Sequence, residues 1–150
     1  MDTSRENIYN LLLDLVKIPS VSPGEGETRL AEFIHDTLGN LPYFQEHPNN
    51  LCYIPVPDDP FGRKNVFAMV EAEPKTNRTI ILTGHIDVVD TKEARSLEEV
   101  MFDPEEYTKR IKELDLPEEA AEDFESGDYL FGRGVMDVEA GIAIQMAVLG

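Results

Sequence analysis

Cysteine occurs once in these 150 residues, at Cys52, so no disulfide can form within the chain. That scarcity fits a reducing compartment, and a cytoplasmic location is expected. Cys52 itself reads as a small, half-buried hydrophobe. No apolar run reaches the ~18 residues that a membrane-spanning helix needs, so no membrane partner is expected. The first residues lack a basic region followed by a greasy stretch and a small-residue cleavage site, so no signal peptide is expected either. Basic residues are few: 13 Lys and Arg stand against 30 Asp and Glu, a formal net charge of −17. Phosphate backbones bind positive charge, which argues against nucleic acid as a partner. The acidic balance is compatible with metals and cationic substrates, and equally with solubility alone. A Gly-x-Ser-x-Gly nucleophile motif is also missing, which weakens any reading as a serine hydrolase.

What is present is the make-up of a soluble globular chain. Hydrophobic residues are 41% and charged residues 29%, and the length suits one domain with its own core. Residues 4–17 carry Ile8, Leu11, Leu12, Leu15 and Val16 at helical spacing, with Asp2, Thr3 or Ser4 as cap and Pro19 beyond the end. A second helix is expected over 25–38, with Leu30, Ile34 and Leu38 in line and Gly39 as its stop. Residues 41–46 read as a strand, 51–56 as extended chain, and the proline-rich 57–64 as a surface loop. Residues 65–71 alternate like a strand. They are expected to lie beside 79–84, as hairpin partners or as neighbours in a larger sheet. Residues 92–127 are acidic and read as short helices near 96–101, 104–112 and 117–126. A short strand over 129–131 and a buried helix over 137–150 complete the chain. His35 and His47 read as ordinary surface or boundary histidines. The Glu pairs at 98–99, 105–106 and 118–119 read as acidic first turns on exposed helices.

Two stretches carry chemistry. In the first, Thr79-Ile80-Ile81-Leu82-Thr83-Gly84-His85-Ile86-Asp87, the aliphatic run predicts a buried central strand. Residues two apart on an extended chain face the same side, so His85 and Asp87 are expected to project together at its carboxyl end, where open α/β sheets bind ligands. Such a pair serves either a metal, with the acid fixing the imidazole tautomer, or a general base oriented by the acid. A surface pair without function is the third possibility. The second stretch is Phe131-Gly132-Arg133-Gly134-Val135-Met136-Asp137-Val138-Glu139-Ala140-Gly141, in which two glycines bracket an arginine ahead of an aspartate and a small-residue helix.

Together, Gly-His-Ile-Asp and Gly-Arg-Gly-Val-Met-Asp resemble the M20 family of zinc-dependent aminoacylases, carboxypeptidases and deacetylases. Leu15-Val16-Lys17-Ile18-Pro19-Ser20-Val21-Ser22, followed by Glu25, is similar to that family's opening helix and turn. Phe102-Asp103-Pro104 is similar to its aromatic Asp-Pro segment. The long acidic interval between the motifs resembles the arginine-utilisation (RocB-type) branch. The resemblance implies an α/β fold, a mostly parallel or mixed sheet flanked by helices in a zinc-peptidase-like (phosphorylase/hydrolase-like) catalytic domain. Residues 1–150 would be its N-terminal portion, with an acidic helical insert near 92–127 and no lid or dimerisation domain. It implies metal-dependent hydrolysis of amide bonds in small peptides or N-acyl amino acids. The cofactor would be a pair of Zn2+ ions, with Co2+ or Mn2+ as substitutes. His85 would be a metal ligand, Asp137 the carboxylate bridging two metals, and Asp87 would do catalytic work through the His85 ring.

The resemblance also implies that the general base and remaining ligands lie beyond residue 150. The isolated stretch is then expected to be inactive, and to pair with the rest of the protein or with a second copy through a partly covered face bearing Ile142, Ile144, Met146 and Leu149. The Asp137–Val138 peptide is expected to be cis. One departure stands inside the motif: the family usually has lysine two residues after the aspartate, and here it is Glu139. A buried glutamate there needs a partner. The competing expectation is a non-catalytic or degenerate relative that keeps the fold as an interaction module.

Overall fold

The computed structural model describes residues 2–150, without the side chains of residues 93–95. The two opening helices form where the apolar spacing places them. α1 spans Arg5–Val16, and the Ser4 hydroxyl accepts a hydrogen bond from the Asn7 amide at 3.2 Å, satisfying one of the free first-turn N–H groups. α2 spans Glu25–Gly39, and the Glu27 carboxylate reaches back to the Gly24 amide at 3.0 Å. The 3.6-residue stripe of each helix meets the other. Leu11, Leu12, Leu15 and Val16 of α1 pack with Leu30, Ile34 and Leu38 of α2 in the main core.

Residues 41–46 depart from the expected strand. Pro42–Glu46 is a short helix, α3, with proline in its first turn. Proline there loses no hydrogen bond, and Leu41 and Phe44, three apart, are both buried in the main core. β1 (Leu51–Pro55) and β2 (Lys64–Ala68) form an antiparallel two-stranded sheet in register Leu51 to Ala68 and Tyr53 to Val66. Leu51, Val66 and Ala68 turn toward the core. Farther along the same face, Tyr53 stacks on His35 at 4.1 Å, and the Lys64 ammonium lies 4.1 Å from the Tyr53 ring while pairing with Glu32 at 2.8 Å. His47 stacks on Tyr43. Both histidines are thus held by aromatic rings.

The expected central strand over 79–84 is not formed. This stretch joins no sheet, β2 pairs with β1 instead, and Ile80 and Ile81 are 88% and 82% exposed. A strand is a paired state. An apolar run specifies what should be buried, but it does not supply the neighbouring strand that would take up its N–H and C=O groups. Residues 129–131 likewise belong to no strand. The fold is therefore a mixed helix and strand architecture, and the sheet among the described residues is small.

The acidic interval folds around its own cluster. A 3-10 helix over Lys92–Val100, α4 (Pro104–Arg110) and α5 (Glu118–Ser126) follow in order. Leu97, Met101, Tyr107 and Ile111 form the cluster's centre. Glu105–Glu106 and Glu118–Glu119 lie in the first turns of α4 and α5, where the helix dipole favours them. Glu99 pairs with Arg110 at 3.0 Å. The Thr108 hydroxyl clips α4 to the chain ahead of the Gly-Arg-Gly turn. It accepts from the Phe131 amide at 2.7 Å and donates to the Phe131 carbonyl at 3.2 Å.

α6 (Ala140–Leu149) packs on α1. Ile142 and Met146, expected to be partly covered, are buried, and the open side of α6 carries Ile144 and Val148. Helical spacing puts Ile142 and Met146 on the α1 side, four apart, and Ile144 and Val148 on the other. No described helix is long and apolar enough to cross a membrane.

Candidate metal centre

Two chain segments build the site, and each is held from behind. The first runs through Gly84 to Val88. Gly84 lies so close to α6 that a Cβ there would be 2.8 Å from the Ile142 Cδ1, and Gln145 of α6 donates to the Thr83 carbonyl at 3.2 Å. At its other end Val88 is buried and bridges Val21 in parallel. The Val88 amide donates to the Ser20 carbonyl at 3.1 Å, and the Ser22 amide donates to the Val88 carbonyl at 3.0 Å. His85 and Asp87 are thus suspended between α6 and the turn that leads into α2.

The second segment is the turn from Gly132 to Glu139. The Arg133 amide donates to the Met101 carbonyl at 2.9 Å, tying the turn to the acidic cluster. Gly134 adopts φ +81°, a backbone state that suits glycine. The chain leaves helical geometry at Asp137 and Val138, whose shared peptide bond is cis, before α6 begins. Val135 and Val138 anchor the turn in the main core.

The structure brings His85, Asp87 and Asp137 together. The His85 Nε2 lies 3.0 Å from the Asp137 Oδ1, across 52 residues of chain. The His85 Nδ1 lies 3.1 Å from the Asp87 carbonyl oxygen and 3.5 Å from its carboxylate. Asp87 therefore reaches the ring mainly through its backbone. A carbonyl only accepts, so Nδ1 carries a proton and Nε2 is the nitrogen presented to Asp137. Partial burial opposes a charged ring, but the bonds to the Asp87 carbonyl and to Asp137 outweigh it and raise the His85 pKa. These groups border an open cavity of about 240 Å³, whose walls also include Val88, Val89, Met136 and Arg133. The Arg133 Nε is buried and has no hydrogen-bond partner among the described residues.

Imidazole nitrogen and carboxylate oxygen are suitable zinc, cobalt or manganese donors, and here they converge on one point with half or more of each side chain exposed. His85 and Asp137 fit as two members of a ligand set. Among the described residues no group of three or more His, Cys, Asp or Glu side chains is arranged to hold a metal.

Glu139 is 2% exposed. Its carboxylate accepts from the Val138 amide at 3.1 Å, the partner that the sequence alone does not name. Burial pushes its pKa up to about 7. Arg133 and Glu139 are the two polar residues that the motif reading left without a contact. The signal for Arg133 was its place between two glycines, and for Glu139 its departure from the usual lysine.

No protein-family profile matches the chain, and no solved structure does. Curated relatives do. Protein RocB of Bacillus subtilis is 33% identical over 144 residues, covering 96% of this chain and 25% of RocB. The uncharacterized protein YqjN of the same organism is 37% identical over 149 residues, 97% of this chain and 26% of YqjN. A peptidase M20 domain-containing protein of Sordaria macrospora is 26% identical over 151 residues, 97% of this chain and 30% of that protein. The chain thus spans between a quarter and a third of the length of these relatives.

Proposed function

We propose that the chain is a member of the M20 peptidase family, on its likeness to RocB and to an M20 domain-containing protein, and that it forms the metal-binding front of a metal-dependent hydrolase. Its substrates would be small peptides or N-acyl amino acids, cleaved at the amide bond. The observation that carries this reading is the meeting of His85 Nε2 and Asp137 Oδ1 at 3.0 Å beside an open cavity. The two residues come from the two motifs that the family resemblance singles out.

His85 and Asp137 would hold zinc, with cobalt or manganese as substitutes. When bound, such an ion lowers the pKa of water and polarises an amide carbonyl. The chain's own residues prepare the site for it. The Asp87 carbonyl holds the proton on Nδ1 and leaves Nε2 as the ligand atom, the usual way a histidine ligand is oriented. With Nε2 facing a carboxylate, proton and metal compete for one nitrogen, so metal uptake releases a proton there. Asp137 is 86% exposed and free to turn toward an ion. The general base and the remaining ligands would come from further parts of a full-length enzyme. A zinc-peptidase-like sheet would be completed there on the open apolar run Ile80–Leu82. A cytoplasmic location goes with this reading.

A second reading is a non-catalytic M20-type interaction module. It is favoured by the exposed Ile80 and Ile81. Elemental analysis of the purified full-length protein, beside His85→Ala and Asp137→Ala, separates the two. Bound metal that both substitutions remove, with metal-dependent turnover of N-acyl amino acids or dipeptides by the full-length protein, supports the hydrolase. A metal-free protein, or metal retained equally by both variants, favours the module.

A further inference from the structure

We propose that Glu139 is a positioning residue: its carboxylate closes the 134–139 turn from behind and thereby sets where Asp137 stands. The Asp137 side chain is 86% exposed, so packing does not hold it. Its place is decided by the backbone that carries it. That backbone is closed at two points, both through Glu139. The Glu139 amide donates to the Gly134 carbonyl at 3.1 Å, and the Val138 amide, next to Asp137, donates to the Glu139 Oε2 at 3.1 Å. The carboxylate fills the space that a side chain at position 134 would need. A Cβ on Gly134 would lie 2.5 Å from Oε2 and 2.8 Å from Cδ. The glycine and the buried glutamate therefore fit as a pair. A lysine at 139 has no acceptor for the Val138 amide, so the departure from the usual family residue gives this turn a hydrogen bond that lysine cannot make.

The functional weight of this clamp rests on the metal reading above, but its geometry can be tested without metal. In metal-free protein at one fixed pH, the ring nitrogen resonances of His85 report the contact between Nε2 and Asp137. Glu139→Gln keeps an acceptor oxygen for the Val138 amide, whereas Glu139→Met has similar length and none. We expect the Gln variant to retain the wild-type His85 signature and the Met variant to move toward that of Asp137→Ala. Glu139→Ala, which removes the acceptor outright, should behave like the Met variant and decides the matter if that variant does not fold. Zinc affinity of the folded variants should fall about 10- to 100-fold for Met and stay near wild type for Gln. A wild-type His85 signature in both the Met and the Ala variants would overturn the proposal, as would an equal loss in Gln and Met. Failure of the full-length wild type to bind zinc would sink the hydrolase reading instead, and the ring resonances would still judge Glu139.

Discussion

Replacing Gly26 with alanine adds one methyl group to the first turn of α2, and the structure leaves no room for it. A Cβ there would sit 1.9 Å from the Pro19 carbonyl oxygen, 2.9 Å from the Pro19 carbonyl carbon and 3.0 Å from the Ser20 Cα. All three are backbone atoms, so no rotamer change relieves the clash. α2 and the 19–20 segment would have to part by roughly 1 Å or more. Overpacking a core by a methylene group or so costs about 1–3 kcal/mol, and a clash with fixed backbone belongs at the upper end. Alanine recovers about 1 kcal/mol of helix propensity over glycine. The steric term wins, and a net loss of about 2 kcal/mol is expected. For a chain of this size that is a fall in Tm of roughly 4–8 °C. The damage should also travel. The Ser20 carbonyl accepts from the Val88 amide and Val21 bridges Val88, so the turn that supports Asp87 and His85 shifts with α2. Equilibrium urea unfolding together with the His85 ring resonances tests both halves. A Gly26→Ala protein as stable as wild type would refute the packing argument. One that is destabilised but keeps an unchanged His85 would refute the connection to the site.

Glu139→Gln should change the pH dependence of stability in metal-free protein. The folded carboxyl pKa is raised from 4.5 to about 7 by burial. Its contribution is therefore fully favourable below pH 4.5 and is lost as pH rises through 7, to a limit of about 3 kcal/mol. The Gln variant lacks this loss, so its stability relative to wild type should grow between pH 4.5 and 7.5. Parallel unfolding profiles across that range would remove the claim. Thr108→Val keeps the side-chain shape and deletes both hydrogen bonds to Phe131. A loss of about 1–3 kcal/mol is expected, with faster amide exchange at Phe131. Unchanged protection of that amide would show that the clip does not hold the approach to the Gly-Arg-Gly turn.

The sequence by itself determined the parts whose causes are local. α1 and α2 follow from apolar residues repeating at helical spacing and from end signals within a few residues, Ser4 before one and Gly39 closing the other. The acidic first turns of α4 and α5 were legible for the same reason. His85, Asp87 and Asp137 could be singled out because motif order is itself a property of sequence. Only the tertiary structure decided the rest. That His85 and Asp137 stand 3.0 Å apart depends on α6 and the Val21–Val88 bridge bringing two distant segments to one place. The run 79–84 misled because apolar content indicates a wish to be buried, while strand formation requires a neighbour, and β2 found its neighbour in β1. Residues 41–46 turned helical because Leu41 and Phe44 reach the core together only at a spacing of three. Glu139 shows the same division. Its identity was a visible departure, but its burial and its hydrogen bond to the Val138 amide exist only once Gly134 folds back against it. Hydrogen-bond partners and close approaches are relations between distant atoms, and no single position in the chain encodes them.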